Sequence, residues 1–108
     1  MQAEAAALHR VLGAALRQDR VLVSAVKGAL GHWVAGAGAI GLLCAIEAVR
    51  SGTVLPTAGL VFPDPQCDLP QVLQVAVLRE VRTALCNAFA FGGANCSVVI
   101  GRERAPCA

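Results

Sequence analysis

VSAVKGALGHWVAGAGAIGLLCAIEAVRSG, residues 23–52, runs from an apolar stretch through a glycine-rich turn carrying Lys27 and His32 into a segment with almost no polar side. Val21 to Val26 is a nearly continuous apolar run, the pattern of a strand covered on both faces, as in a parallel sheet between helix layers. The segment from Gly36 or Ala37 to Arg50 is predicted to be a helix ending at Ser51 and Gly52, where glycine supplies a carboxyl-terminal stop. Glu47 is nearly alone among its side chains in being polar, and a helix that is apolar all round is expected to be buried all round. The remaining elements of the chain can cover only one side of such a helix. A second layer is therefore expected from a further portion of the chain or from a partner subunit.

The 108 residues amount to one domain at most. Hydrophobic residues make up 56% and charged residues 15%, below the roughly 25% charged of an average soluble protein. The net charge is +2 and the arginines are scattered singly, which argues against a nucleic-acid partner. Five cysteines without a CxxC pair exclude a zinc knuckle and a disulfide framework, so reduced thiols in a cytoplasmic protein are expected and no metal is implied. Cys44 reads as core packing and Cys107 as an exposed thiol. The start, MQAEAAALHRVLG, lacks the pattern of a signal peptide. Gly28 to Ile46 is long enough to just span a bilayer. Its five glycines, the charges at its borders and the patterning on both sides favour a buried soluble helix over a membrane span.

Ala3 to Leu16 reads as a surface helix burying Leu8, Val11, Leu12, Ala15 and Leu16, with Glu4, Arg10 and Arg17 on the other side and His9 solvated. Residues 53–70, with four prolines, read as an irregular connection containing extended pieces, and residues 72–77 as a short strand. Residues 81–90 and 95–100 read as a hairpin turning at Gly92 and Gly93. The tail from Arg102 to Ala108 is expected to fray.

Two places carry chemistry. Lys27 is the only lysine among nine basic residues, which hints at a use for a compact ammonium; the alternative is a solvated charge at a strand end. His32 could donate a hydrogen bond to an oxyanion, or be a structural histidine. In FAFGGAN, residues 89–95, Phe89 and Phe91 alternate onto one face of a strand end, at the lip of a flexible turn made by Gly92 and Gly93. Such a lip could line or gate a pocket, or simply be two core aromatics. GAGAIG, residues 36–41, has the letters of a dinucleotide-binding motif but lies at a helix start without its strand or its acidic partner, so no cofactor is implied.

KGALGHWVAGAG, residues 27–38, resembles the K-S-x-x-G-H-x-x-G-A-A-G segment of the β-ketoacyl-acyl carrier protein synthases. CNAFAFGGANCSVVI, residues 86–100, resembles that family's S-N-S-F-G-F-G-G-x-N-x-x-V-V-L segment, and LPTAGLVFPDPQCDL, residues 55–69, its I-P-P-T-x-N-L stretch and the loop beyond. The motifs occur in the family's order, from Glu4 to about Arg102. The resemblance implies an α/β chain that is the carboxyl-terminal part of a thiolase-like layered α-β-α-β-α fold, incomplete on its own and usually found in a homodimer.

It further implies a decarboxylative Claisen condensation in fatty-acid or polyketide synthesis, with acyl and malonyl thioesters carried by acyl carrier protein. Lys27 and His32 match the family's catalytic lysine and second histidine; Phe91 matches its gating phenylalanine, beside Phe89, on the Gly92-Gly93 loop. The nucleophilic cysteine and the first histidine of the family would lie upstream of Glu4. The 108 residues are therefore expected to be inactive alone, needing a complementing amino-terminal half; the other reading is a non-catalytic partner subunit resembling the chain-length factors. Three departures stand out. Ala90 replaces a glycine between the phenylalanines, Ala35-Gly36 inverts the usual order, and Trp33 is bulky enough to narrow a pocket.

Overall fold

The computed structural model describes residues 2–72 and 74–103. Cys107 and most of the tail expected to fray lie outside them. A first helix, α1, spans Gln2–Arg17, with Glu4 in its first turn and Arg17 in its last, each opposing the helix dipole. Its inner stripe is Ala5, Leu8, Leu12 and Leu16, of which Ala5 and Leu16 are buried. Val11 is 79% exposed and falls off this stripe, contrary to the sequence reading. Glu4, expected on the outer side, is half-buried and accepts a hydrogen bond from Asn87 Nδ2 at 3.4 Å.

The apolar run 21–26 does not form a regular strand. It contributes one parallel bridge, Val23 to Gln71, in which Val23 N–H donates to Pro70 O and Val72 N–H to Val23 O, both at 2.9 Å. The next residues are claimed by side chains. Ser24 Oγ donates to Leu55 O at 2.6 Å, and Ala25 N–H donates to Thr57 Oγ1 at 3.1 Å. Ser24 and Ala25 are exposed, so the expected cover on both faces is not met within these residues.

A short helix, α2, spans Lys27–Leu30 where the sequence suggested a turn. After a 3-10 turn at Val34–Gly36, the apolar helix α3 spans Ala37–Ser51. It stops as predicted: Gly52 is left-handed at φ 74° and its N–H donates to Ala48 O at 2.9 Å.

The strands form two antiparallel pairs. β1, Thr53–Val54, pairs with β2, Val77–Leu78, which is all that remains of the strand expected at 72–77. β3, Thr83–Ala90, pairs with β4, Ala94–Gly101, in a hairpin registered from Thr83↔Gly101 to Ala90↔Ala94, as expected.

One face of α3 lies on this hairpin. A Cβ on Gly38 would stand 3.4 Å from Ala88 Cβ, in ordinary contact, and one on Gly41 3.2 Å from Cys86 Sγ, which is tight, so the helix approaches the sheet most closely at Gly41. At the far end Arg102 closes the unit: its Nε and Nη2 donate to Val49 O and Arg50 O, at 3.1 and 3.0 Å, satisfying carbonyls of the last helical turn. The other face of α3 is open. Leu43 is 61% and Ile46 43% exposed, and Val49 alone of the helix is fully buried. Among the described residues the hairpin and its neighbours thus reach only one side of α3, as the sequence leads one to expect, and the cover for its other face is not among them. By length and composition Val34–Ser51 would suffice to cross a membrane, with mean hydropathy 1.5, but its glycine face already has a protein surface against it.

Gly28 joins this unit to the loop that follows β1. A Cβ there would fall far inside van der Waals contact with the Ala58 carbonyl oxygen, a backbone atom that cannot swing away. Gly28→Ala is expected to destabilise the protein by about 2 kcal/mol or more through this overpacking. Gly38→Ala, which meets only a methyl group at ordinary distance, should cost less than half as much. Chemical denaturation of the two variants checks this, and equal losses would contradict the packing described.

Candidate functional site

The segment from Lys27 to Gly36 folds almost entirely on its own hydrogen bonds. Gly31 N–H donates to Lys27 O at 2.8 Å, closing α2. Gly31 then adopts φ 79°, ψ 176°, a conformation essentially reserved for glycine, and so turns the chain sharply into His32. Trp33 Nε1–H reaches back to Leu30 O at 2.8 Å. Gly36 N–H donates to Trp33 O at 2.8 Å and starts the 3-10 turn that leads into α3.

The geometry at His32 fixes its tautomer. Val34 N–H donates to His32 Nδ1 at 2.9 Å. An acceptor at Nδ1 requires the ring proton to sit on Nε2, so the imidazole presents Nε2–H outward as a donor. Val34 holds this arrangement at φ 51°, left-handed for a β-branched residue, at a cost of about 1–2 kcal/mol. Strain of this kind persists only where the surroundings over-determine it.

His32 and Lys27 are both exposed. Among the described residues Lys27 makes no ion pair and no side-chain hydrogen bond. The loop beneath it is set by Thr57, whose hydroxyl takes Ala25 N–H and whose own N–H donates to Val72 O at 2.7 Å. No pattern in the sequence gives residues 55–57 a part in the site. The signal available was the threonine after Pro56, a side chain able to accept from the backbone just ahead of Lys27.

Phe91, Gly92 and Gly93 form the turn of the β3–β4 hairpin, with φ 85° and 81° at the two glycines. β3 ends at Ala90, so Phe91 stands beyond the ladder rather than on its face with Phe89, and it is fully exposed. Phe89 is 56% exposed. No hydrogen bond or ion pair among the described residues links this turn to the Lys27–His32 segment. Two small cavities lie elsewhere, one between α1 and residues 68–70 lined by His9 and Asp68, the other between α3 and the hairpin lined by Gly38, Leu42, Cys86 and Cys96. His9 Nε2 is 2.6 Å from Asp68 O, so it is tied to the backbone rather than simply solvated.

Cys44, Cys67, Cys86 and Cys96 are free thiols. Burial pushes the Cys86 thiol up, and the neighbouring Cys96 and Cys44 add to the effect. A raised thiol is a poor nucleophile at neutral pH.

Residues 2–61 match the family described as "Beta-ketoacyl synthase, C-terminal domain". The chain belongs to the β-ketoacyl synthase family, in its carboxyl-terminal domain. Lys27, His32 and the whole of α3 fall within the matched residues. Nodulation protein E of Rhizobium meliloti is 37% identical over 94 residues, covering 87% of this chain and 23% of that protein. The 3-oxoacyl-[acyl-carrier-protein] synthase 2 of Rhizobium meliloti is 34% identical over 99 residues, 92% of this chain and 23% of its own length. The tetracenomycin polyketide synthase ketoacyl synthase alpha subunit of Streptomyces glaucescens is 37% identical over 101 residues, 94% of this chain and 23% of its own. The chain thus spans about a quarter of these β-ketoacyl synthase relatives and of nodulation protein E.

Alkylation separates the thiols of this ketoacyl synthase domain. The exposed Cys96 should react before Cys86, which should begin to react only at a higher pH than a free thiol, because less of it is thiolate at any given pH. Peptide mapping after timed iodoacetamide treatment reads the order, and early modification of Cys86 would contradict its burial.

Proposed function

We propose that these residues supply the carboxyl-terminal half of the active site of a β-ketoacyl-acyl carrier protein synthase, which joins acyl and malonyl units in fatty-acid or polyketide synthesis. The observation that carries the reading is the hydrogen bond from Val34 N–H to His32 Nδ1, which leaves Nε2–H as a fixed donor. In the reaction, a malonyl thioester on acyl carrier protein loses carbon dioxide. The electron pair of the breaking C–C bond moves into an enolate whose negative charge develops on the thioester oxygen. His32 Nε2–H donates to that oxygen as the charge appears, an electrostatic contribution of about 3–4 kcal/mol when the donor is already aimed.

The enolate carbon then attacks the carbonyl of an acyl group held on a cysteine, and the cysteine thiolate leaves. None of the cysteines here suits that role: Cys86 is raised by burial, and the family pattern has its nucleophile upstream of Glu4. The amino-terminal half, in a longer chain or a separate one, supplies it. That half also supplies the layer that completes the thiolase-like α-β-α-β-α arrangement over Leu43 and Ile46. A homodimer and a cytoplasmic location accompany this reading.

Lys27 sets the polar surroundings of the reacting carboxylate and biases protonation near His32. Phe91, with its fully exposed ring on the Gly92-Gly93 turn, moves as the gate of the acyl pocket, and Phe89 lines the approach. The pairing of Lys27 with His32 on one self-bonded segment favours a catalytic role over that of a silent chain-length-factor-like partner.

Carbon dioxide release from malonyl-acyl carrier protein tests the proposal. The 108 residues alone should release none, and the same residues joined to an amino-terminal half carrying the cysteine should release it. Lys27→Ala in the joined protein should lower the rate by about 100-fold, the effect of misplacing the reacting groups by about an ångström. Turnover by the 108 residues alone, or none by the joined protein, would overturn the reading.

A further inference from the structure

We propose that Trp33 is a positioning residue for His32, acting as a clamp whose indole N–H fixes the turn that aims the imidazole. The inference rests on the condensing reading only for the use to which His32 is put; the clamp itself stands on local geometry. Leu30 O is a terminal carbonyl of α2 and has no helical partner. Trp33 Nε1–H supplies one at 2.8 Å.

In the other direction, Trp33 O accepts Gly36 N–H at 2.8 Å. The Trp33 side chain also lies over Gly36: a Cβ at that position would meet Trp33 Cβ at 3.7 Å and Cε3 at 3.8 Å. One residue is therefore bonded back to α2 and forward to the 3-10 turn, with His32 immediately before it and Val34 immediately after. Between two fixed ends the chain has little freedom. Val34 takes its left-handed φ of 51° within this span, and that conformation accompanies the N–H aimed at His32 Nδ1. Trp33 is 55% exposed, and its polar atom bonds the backbone of its own loop.

Removing the indole N–H should loosen the Val34–His32 hydrogen bond and release the tautomer. Nitrogen-15 spectra of the histidine rings, recorded on the protein as isolated and at a pH where the rings are neutral, read this directly. Trp33→Phe keeps the ring and removes the donor, Trp33→Ala removes both, and His32→Asn assigns the signal. The expected result is a His32 ring held with its proton on Nε2 in the parent, and a preference reduced about two- to tenfold in Trp33→Phe, the range one net hydrogen bond spans. Should the variant not fold, exchange of the indole N–H in the parent decides instead. Trp33 is the single tryptophan of these 108 residues, and its indole proton should exchange more slowly than that of a free indole.

A His32 tautomer ratio unchanged in Trp33→Phe, or an indole proton exchanging at the free rate, would overturn the clamp. A tautomer released in Trp33→Phe, with the joined parent protein decarboxylating no malonyl thioester, would uphold the clamp and overturn the condensing function, so the two can fail separately.

Discussion

The bare glycine face of α3 against the β3–β4 hairpin is the contact on which the rest of this unit depends. Gly41 over Cys86, where a Cβ would be tight, and Gly38 over Ala88, where one would just fit, seat the helix on a two-stranded ribbon that would be marginal by itself. That seat determines where α3 begins, and hence where the turn of Val34–Gly36 and the His32 loop are held. Arg102 secures the other end of the helix through the carbonyls of Val49 and Arg50. The same arrangement leaves Leu43 and Ile46 facing outward, an apolar surface left uncovered by the rest of the described chain.

Around His32 the order of dependence is short. Gly31 reverses the chain, Trp33 ties the reversal to α2, and Val34 accepts a strained conformation in which its N–H meets Nδ1. The donor at Nε2 is thus a product of the backbone and needs no neighbouring charge. Beneath, the Ala58 backbone presses close enough that position 28 admits only a hydrogen. In the proposed reaction such a preformed donor gains its effect from not having to reorganise as charge develops.

Much of this was legible in the sequence, and the parts that were not share a cause. The helices at 2–17 and 37–51, the glycine stop at Gly52 and the hairpin about Gly92 and Gly93 are local features, and local patterns announced them. Val21–Val26 reads as a covered strand because apolar composition reports the environment a segment is suited to, and the described residues supply only one bridge of its ladder and leave Ser24 and Ala25 exposed. The all-round apolarity of α3 likewise reports a suited environment, and its cover on one side only is what the count of remaining elements leads one to expect. Val11 misled because helical spacing admits neighbouring stripes and only packing selects between them. At the site, residue types and motif order marked Lys27 and His32. The Nδ1 acceptor, the Trp33 bond and the close approach of Ala58 to Gly28 depend on backbone torsions that no residue pattern displays.

The central claim is that His32 acts as a preset donor to the malonyl thioester oxygen. The measurement closest to it is the kcat for carbon dioxide release by the joined protein, parent against His32→Ala, with folding of the variant verified by its unfolding transition. The account predicts a fall of about 10²–10³ in kcat, the effect of removing one oxyanion donor. A folded variant that releases carbon dioxide at the parent rate would contradict it.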